Sequence, residues 1–110
     1  MNPYRADYEV VEPARMDIDA APGLVLLEFG APWCGHCQAA QAALRDMLDG
    51  QAGVIHQKVE DGRGKPLGRA FGVKLWPTLV LLRSGEELAR VVRPVSGDDL
   101  ASLAEALQTQ

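Results

Sequence analysis

The chain is short of most residues that would mark a specialised protein. It has two cysteines and two histidines in 110 residues. Two cysteines cannot form the disulfide framework that staples small secreted domains. The eleven Lys and Arg are scattered and the net charge is -4, so neither a nucleic-acid groove nor a polybasic membrane patch is expected. No apolar run approaches the ~20 residues of a membrane span. The opening stretch, MNPYRADYEVVEP, lacks the apolar core and the small-residue cleavage site of a signal peptide. The expected location is therefore cytoplasmic, although a mature exported domain with an added Met would read the same way. Internal repeats and low-complexity segments are absent too.

What is there suffices for one core. Apolar residues make up 47% of the chain, and its length leaves no room for a second core, so one domain over residues 1–110 is expected. For so small an acidic domain the expected state is a monomer. Leu24 to Ala31, LVLLEFGA, is an apolar run of strand length, the pattern of a strand buried on both faces. From Cys34 or Gly35 to Asp49, Ala39, Ala43, Leu44, Met47 and Leu48 fall near helical spacing, with Gly50 as the stop. GVIHQKVED is a second strand. GKPLGRAFGV is a short helix with Pro66 in its first turn and Gly72 at its end. WPTLVLLRSGEELARVVRP reads as two antiparallel strands turning at Arg83-Ser84-Gly85-Glu86. The closing SGDDLASLAEALQTQ carries a stripe of Leu100, Leu103, Ala104 and Leu107, with Ser96 or Asp98 as its cap. Ahead of these, Ala6 to Val11 ends in a β-prone piece and EPARMDIDAAPG is weakly helical or irregular. The order strand, helix, strand, helix, strand, strand, helix implies an α/β fold: a central mixed sheet with helices on both faces.

Both cysteines lie in EFGAPWCGHCQAA, Glu28 to Ala40, with two residues between them. Zinc wants four ligands, yet His56 is distant and His36 diverges from the cysteines on one helical turn, so ligand count disfavours a metal. A structural disulfide over so short a gap removes little loop entropy from the unfolded chain. Buried inert thiols are the bland alternative. Reversible redox chemistry has the more specific physical case. Cys34, at a strand-to-helix junction, faces the positive end of the helix dipole and unpaired N–H groups, both of which favour thiolate. Cys37 lies one turn on, within reach of the Cys34 sulfur. Cys34 is then the attacking thiol and Cys37 the resolving one. Gly35 lets a partner backbone approach, and Trp33 with Pro32 forms a flat apolar apron, unless Trp33 is ordinary core.

Glu28 interrupts a core run, where an isolated carboxylate is costly unless it is protonated or paired. Six residues behind Cys34, it is placed to take the proton from Cys37 when that thiol must attack. At a solvated strand end it would merely sit in water. Lys58 is a candidate partner for it, although a lysine at a strand end is ordinarily a surface charge.

These residues resemble the thioredoxin superfamily, the reading that C-x-x-C near a βαβ pattern invites. LVLLEFGAPWCGHC is most similar to the catalytic domains of protein disulfide isomerases, and FGVKLWPTLVLLRSGEELARVV resembles the second half shared across the superfamily. The resemblance covers about Leu24 to Leu107 and implies the thioredoxin fold. It implies that Cys34 is the nucleophile and Cys37 the resolving thiol, that Glu28 is the buried acid and that Lys58 accompanies it. It implies that Pro77 follows a cis peptide bond facing the disulfide, with the Trp76 backbone free to pair with an extended substrate. The alternative for Pro77 is the start of an edge strand.

Departures from the pattern are His36 for the proline inside the motif, Gln38 for a basic residue, Ala42 for a helix-kinking proline, and Arg93-Pro94 for a small glycine. His36 would help to hold a Cys34 thiolate and make the couple more oxidising. Arg93 would set a cation beside the substrate groove. The implied activity is a thiol–disulfide oxidoreductase acting on disulfide-containing proteins. It needs no cofactor beyond the Cys34–Cys37 pair and takes electrons from a thioredoxin-reductase-like or glutathione donor. Oxidation or isomerisation becomes the direction if the chain is exported. A redox-capable adaptor or chaperone-like module around Trp33, Trp76 and Pro77 is the competing class. A glutaredoxin-like enzyme fits Trp33 and Glu28 less well.

Overall fold

The computed structural model describes residues 1–109. Its central strand, β1 (Leu24–Gly30), is buried along its whole length, as a run with no polar alternation requires. β1 pairs in parallel with β2 (Val54–Glu60) and antiparallel with β3 (Thr78–Arg83); β4 (Glu86–Val92) pairs antiparallel with β3. The sheet order is β2-β1-β3-β4, a mixed sheet. A parallel pair needs a crossover, and α2 (Gly35–Leu48) supplies it. The β3–β4 hairpin turns at Ser84 and Gly85, both at positive φ (50° and 80°), the conformation a two-residue hairpin turn demands.

Helices cover both faces. α2 and α4 (Ala101–Gln108) set Leu44, Leu48, Leu103 and Leu107 against Leu24, Leu26, Leu79 and Leu81. On the other face α1 (Arg15–Ala20) and α3 (Pro66–Ala70) bring Ile18, Leu67 and the following Phe71 against Val25, Leu27, Phe29, Val80 and Leu82. The weakly helical stretch ahead of β1 is thus a short helix held by one buried residue, Ile18. With Ala42 at the proline position, α2 runs unbroken through residues 35–48.

One expectation about local structure changes and another is narrowed. Ala6 to Val11 forms no strand of its own; only Glu9 bridges to Val59, its N–H donating to Lys58 O at 2.7 Å. The neighbouring residues are drawn down onto side chains of β2 instead, as the site shows. At the last helix, Ser96, of the two cap candidates, caps a short 3-10 turn, Gly97–Leu100, and Asp99 completes the capping box by accepting from the Ser96 N–H at 3.2 Å.

Candidate active site

Cys34 is the N-cap of α2, and its sulfur accepts the Cys37 N–H at 3.3 Å. A donor is therefore aimed at the sulfur that would carry negative charge as a nucleophile. Both cysteines are free; Cys34 is half-buried and Cys37 is 1% exposed. Burial, and then the hydrogen bond with Cys34, push the Cys37 thiol up to about 11. The two thiols thus differ in access.

Behind them lies a buried polar cluster. Side chains alternate along strands, and the β1–β2 register sets Glu28 opposite Lys58 and Leu26 opposite His56. Glu28, His56 and Lys58 therefore share the face under α2, each at most 2% exposed. Glu28 Oε1 accepts from His56 Nε2 at 2.8 Å, and His56 Nδ1 accepts the Arg5 N–H at 2.8 Å. With Nδ1 occupied as an acceptor, the hydrogen bonds assign the His56 proton to Nε2. Glu28 Oε2 accepts from Gln41 Nε2 at 2.8 Å and from the Tyr8 hydroxyl at 3.4 Å. Glu28 is thus a paired carboxylate, as its burial demands, with His56 and Gln41 as its hydrogen-bond donors.

Lys58 is no surface charge either. Its ammonium stands 4.0 Å from Glu28 Oε2 and donates to Gln41 Oε1 at 2.9 Å and Ala6 O at 3.0 Å. Burial holds Lys58 below the ordinary lysine value, against the attraction of Glu28. Gln41 joins the cluster to the motif, donating to Cys37 O at 2.7 Å and accepting from the Tyr4 hydroxyl at 2.6 Å. A cavity of about 370 Å³ opens beside it, lined by Tyr8, Pro32, Cys37, Gln41 and Lys58 among others. Among the described residues, no group of three His, Cys, Asp or Glu is placed to hold a metal.

The outer surface carries the remaining candidates. Trp33 is 73% exposed, so it is not core, and it meets Trp76 edge to face at 5.6 Å. Gly35 and His36 are exposed on the first turn of α2, and a Cβ on Gly35 would meet nothing within 4 Å. The Trp76–Pro77 bond is cis. Pro77 sits at the head of β3, buried, and its carbonyl accepts the Arg93 N–H at 2.9 Å. The expectation of a free Trp76 backbone needs correcting: its carbonyl accepts from Arg93 Nε at 2.8 Å. Arg93 holds φ at 53°, the left-handed region where glycine is easiest, which explains the glycine of the pattern it departs from. Trp76 Nε1 in turn donates to Asp61 at 2.9 Å.

Residues 11–106 match the family profile described as Thioredoxin. The chain belongs to the thioredoxin family. It is 33% identical over 95 residues to a thioredoxin of Chlamydia caviae, covering 86% of this chain and 93% of that one. It superposes on thioredoxin 2 of Pseudomonas aeruginosa in its reduced form with a TM-score of 0.83 and 47% identity, over 97% of this chain and 100% of that chain. Protein disulfide-isomerase A3 of Gallus gallus is 33% identical over 99 residues, 86% of this chain. The chain spans 20% of that isomerase and about half the length of several plant thioredoxins. Fold and CXXC-spaced pair make it a thioredoxin-type thiol–disulfide oxidoreductase domain.

Sequence reasoning did not find the thioredoxin domain's His56, Gln41, Tyr4 and Tyr8 as neighbours of Glu28. Period-two alternation through Val54, His56 and Lys58 was the available signal for His56. Nothing local in the sequence signals that residues 4–9 fold back over β2.

Proposed function

We propose that the chain reduces disulfides of protein substrates in the cytoplasm, as a monomeric single domain fed by a thioredoxin-reductase-like or glutathione donor. Cys34 attacks the substrate disulfide, a mixed disulfide forms, and Cys37 attacks Cys34 sulfur to release the reduced substrate. The observation that carries this reading is the asymmetry of the pair. One sulfur is accessible and receives a backbone donor at a helix N-terminus; the other is buried, with its backbone joined to Glu28 through Gln41. Glu28, held by His56 and Gln41, is the base for Cys37, with Lys58 fixing Gln41. Trp33, Trp76, Gly35 and Pro77 form the face that meets substrate, and Arg93 covers part of it. Insulin reduction coupled to a reductase tests the reading. Turnover should vanish in Cys34→Ser, whereas an adaptor would show negligible wild-type turnover and keep its binding in that variant.

A second reading, toward the isomerase branch, rests on His36, exposed on the first turn beside Cys34. A hydrogen-bond donor there that holds the Cys34 thiolate favours the reduced form and raises the potential. About 90 mV separates thioredoxin-type from isomerase-type couples. The expected couple lies on the isomerase side of thioredoxin, and His36→Pro shifts it toward reducing. A glutathione titration placing wild type at or below thioredoxin excludes this branch.

A further inference from the structure

The disulfide-exchange reading leaves one proton without a route. Cys37 is a buried thiol, and among the described residues no hydrogen bond joins it to Glu28. Near both stands the hydroxyl of Tyr8, which lies 3.4 Å from Glu28 Oε2, lines the same cavity as Cys37 and flanks Gly30 together with the Cys37 sulfur. Tyr8 lies ahead of the residues matched to the family, 11–106.

Gly30 explains how the two groups meet. Its φ is unexceptional, so backbone geometry does not call for glycine at this last, buried residue of β1. A Cβ there would stand 2.5 Å from Cys37 Sγ and 3.0 Å from the Tyr8 oxygen. Glycine thus leaves open the volume in which thiol and phenol come together.

We propose that the Tyr8 hydroxyl relays the proton of Cys37 to Glu28 as Cys37 attacks the mixed disulfide. This rests on the disulfide-exchange reading above. The Cys37 S–H gives its proton to the Tyr8 oxygen, and the Tyr8 O–H gives its own to Glu28 Oε2. The Cys37 electron pair forms the bond to Cys34 sulfur. The bond between Cys34 and the substrate sulfur breaks, and its electron pair leaves with the substrate as thiolate, which takes a proton from water. Substrate is reduced by two electrons and the dithiol is oxidised.

A phenol can donate and accept at once, so one side chain serves both contacts. Burial and the charge of Glu28 hold Tyr8 above its ordinary range, so phenolate does not accumulate and the two transfers run together. The charged and titratable groups around it are Glu28 from β1, Lys58 and Glu60 from β2, Cys37 on α2, and Tyr4 and Asp7 on its own segment. The Lys58 ammonium lies 4.4 Å from the Tyr8 ring centre and fixes the ring's place. The distance of 3.4 Å is longer than a relaxed O–H···O bond, as catalytic contacts in resting sites commonly are.

Stopped-flow reaction of the reduced protein with a chromogenic aryl disulfide separates the steps. The first coloured equivalent reports attack by Cys34, and the second reports resolution by Cys37. Tyr8→Phe keeps the ring and should leave the first phase unchanged. It should slow the second about 10-fold or more at pH 7, with the gap closing toward pH 11, where Cys37 ionises unaided. In a Glu28→Gln background, Tyr8→Phe should add no further slowing. A second phase unchanged in Tyr8→Phe overturns the relay, as does equal slowing in both backgrounds or equal slowing of both phases at every pH. If wild type itself releases only one equivalent, the disulfide-exchange reading falls, and the relay with it.

Discussion

The two faces of β1 are built for different purposes. Val25, Leu27 and Phe29 point into an apolar cluster with Ile18, Leu67, Phe71, Val80 and Leu82. Leu24, Leu26 and Glu28 point the other way, and on that face the apolar packing gives out toward the end of the strand, where Glu28, His56 and Lys58 replace it. The same backbone thus carries a cohesive face and a chemical one, offset by one residue. No buried side-chain polar atom is left without a partner among the described residues, so the chemical face is tolerated because its groups satisfy one another. The cluster also lies directly behind the buried cysteine. Stability and reactivity should therefore separate by face.

That separation can be broken in graded steps. Phe29→Ala opens the apolar face, where the phenyl ring is fully buried against Phe71. It should cost about 3–5 kcal/mol in urea unfolding while leaving the pH profile of turnover in place; a shifted profile would tie the faces together. Next comes pH. The folded protein holds the Cys37 proton up to about 11 against an ordinary 9.0. The stability this contributes is fully present below pH 9 and lost as pH rises to 11. The loss should be roughly 2–3 kcal/mol for the reduced form. The disulfide form has no Cys37 proton, so the difference between the two forms across this window isolates it. A constant difference would contradict the assignment.

His56→Leu makes the chemical face resemble the apolar one. It strips Glu28 Oε1 and the Arg5 N–H of their partners. A loss of about 1–3 kcal/mol is expected, and a gain in stability would show that the network does not hold this face together. The smallest effect is at Arg93. Arg93→Gly relieves a left-handed residue but gives up the bond to Trp76 O, so stability should move by no more than about 1 kcal/mol. Freeing that carbonyl should lower KM for a peptide disulfide by about 2–10-fold with kcat unchanged. An unchanged KM would mean that Arg93 does not compete with substrate.

Much of this was legible in the residues, for identifiable reasons. The run LVLLEFGA, the spacing of the cysteines and the hairpin turn at Ser84-Gly85 are local signals, and each maps onto an observed element. Glu28 and Lys58 stood out because charges break patterns. Their true setting did not, because it depends on which strands are neighbours. Register sets His56 beside them, and Tyr4, Tyr8 and Arg5 arrive through a segment with little regular structure. Long-range pairing of polar side chains leaves no periodicity behind. Arg93 was noticed as an oddity, but its bond to Trp76 O depends on two loops meeting.

The most direct test of the claim that the polar face serves Cys37 is the pH dependence of insulin-disulfide turnover in Glu28→Gln against wild type. Gln keeps the size of Glu28 and cannot take a proton. Turnover at pH 7 should fall by about 10²-fold or more and recover as pH approaches 11, where Cys37 loses its proton unaided. Equal turnover of the two proteins across that range would contradict the claim.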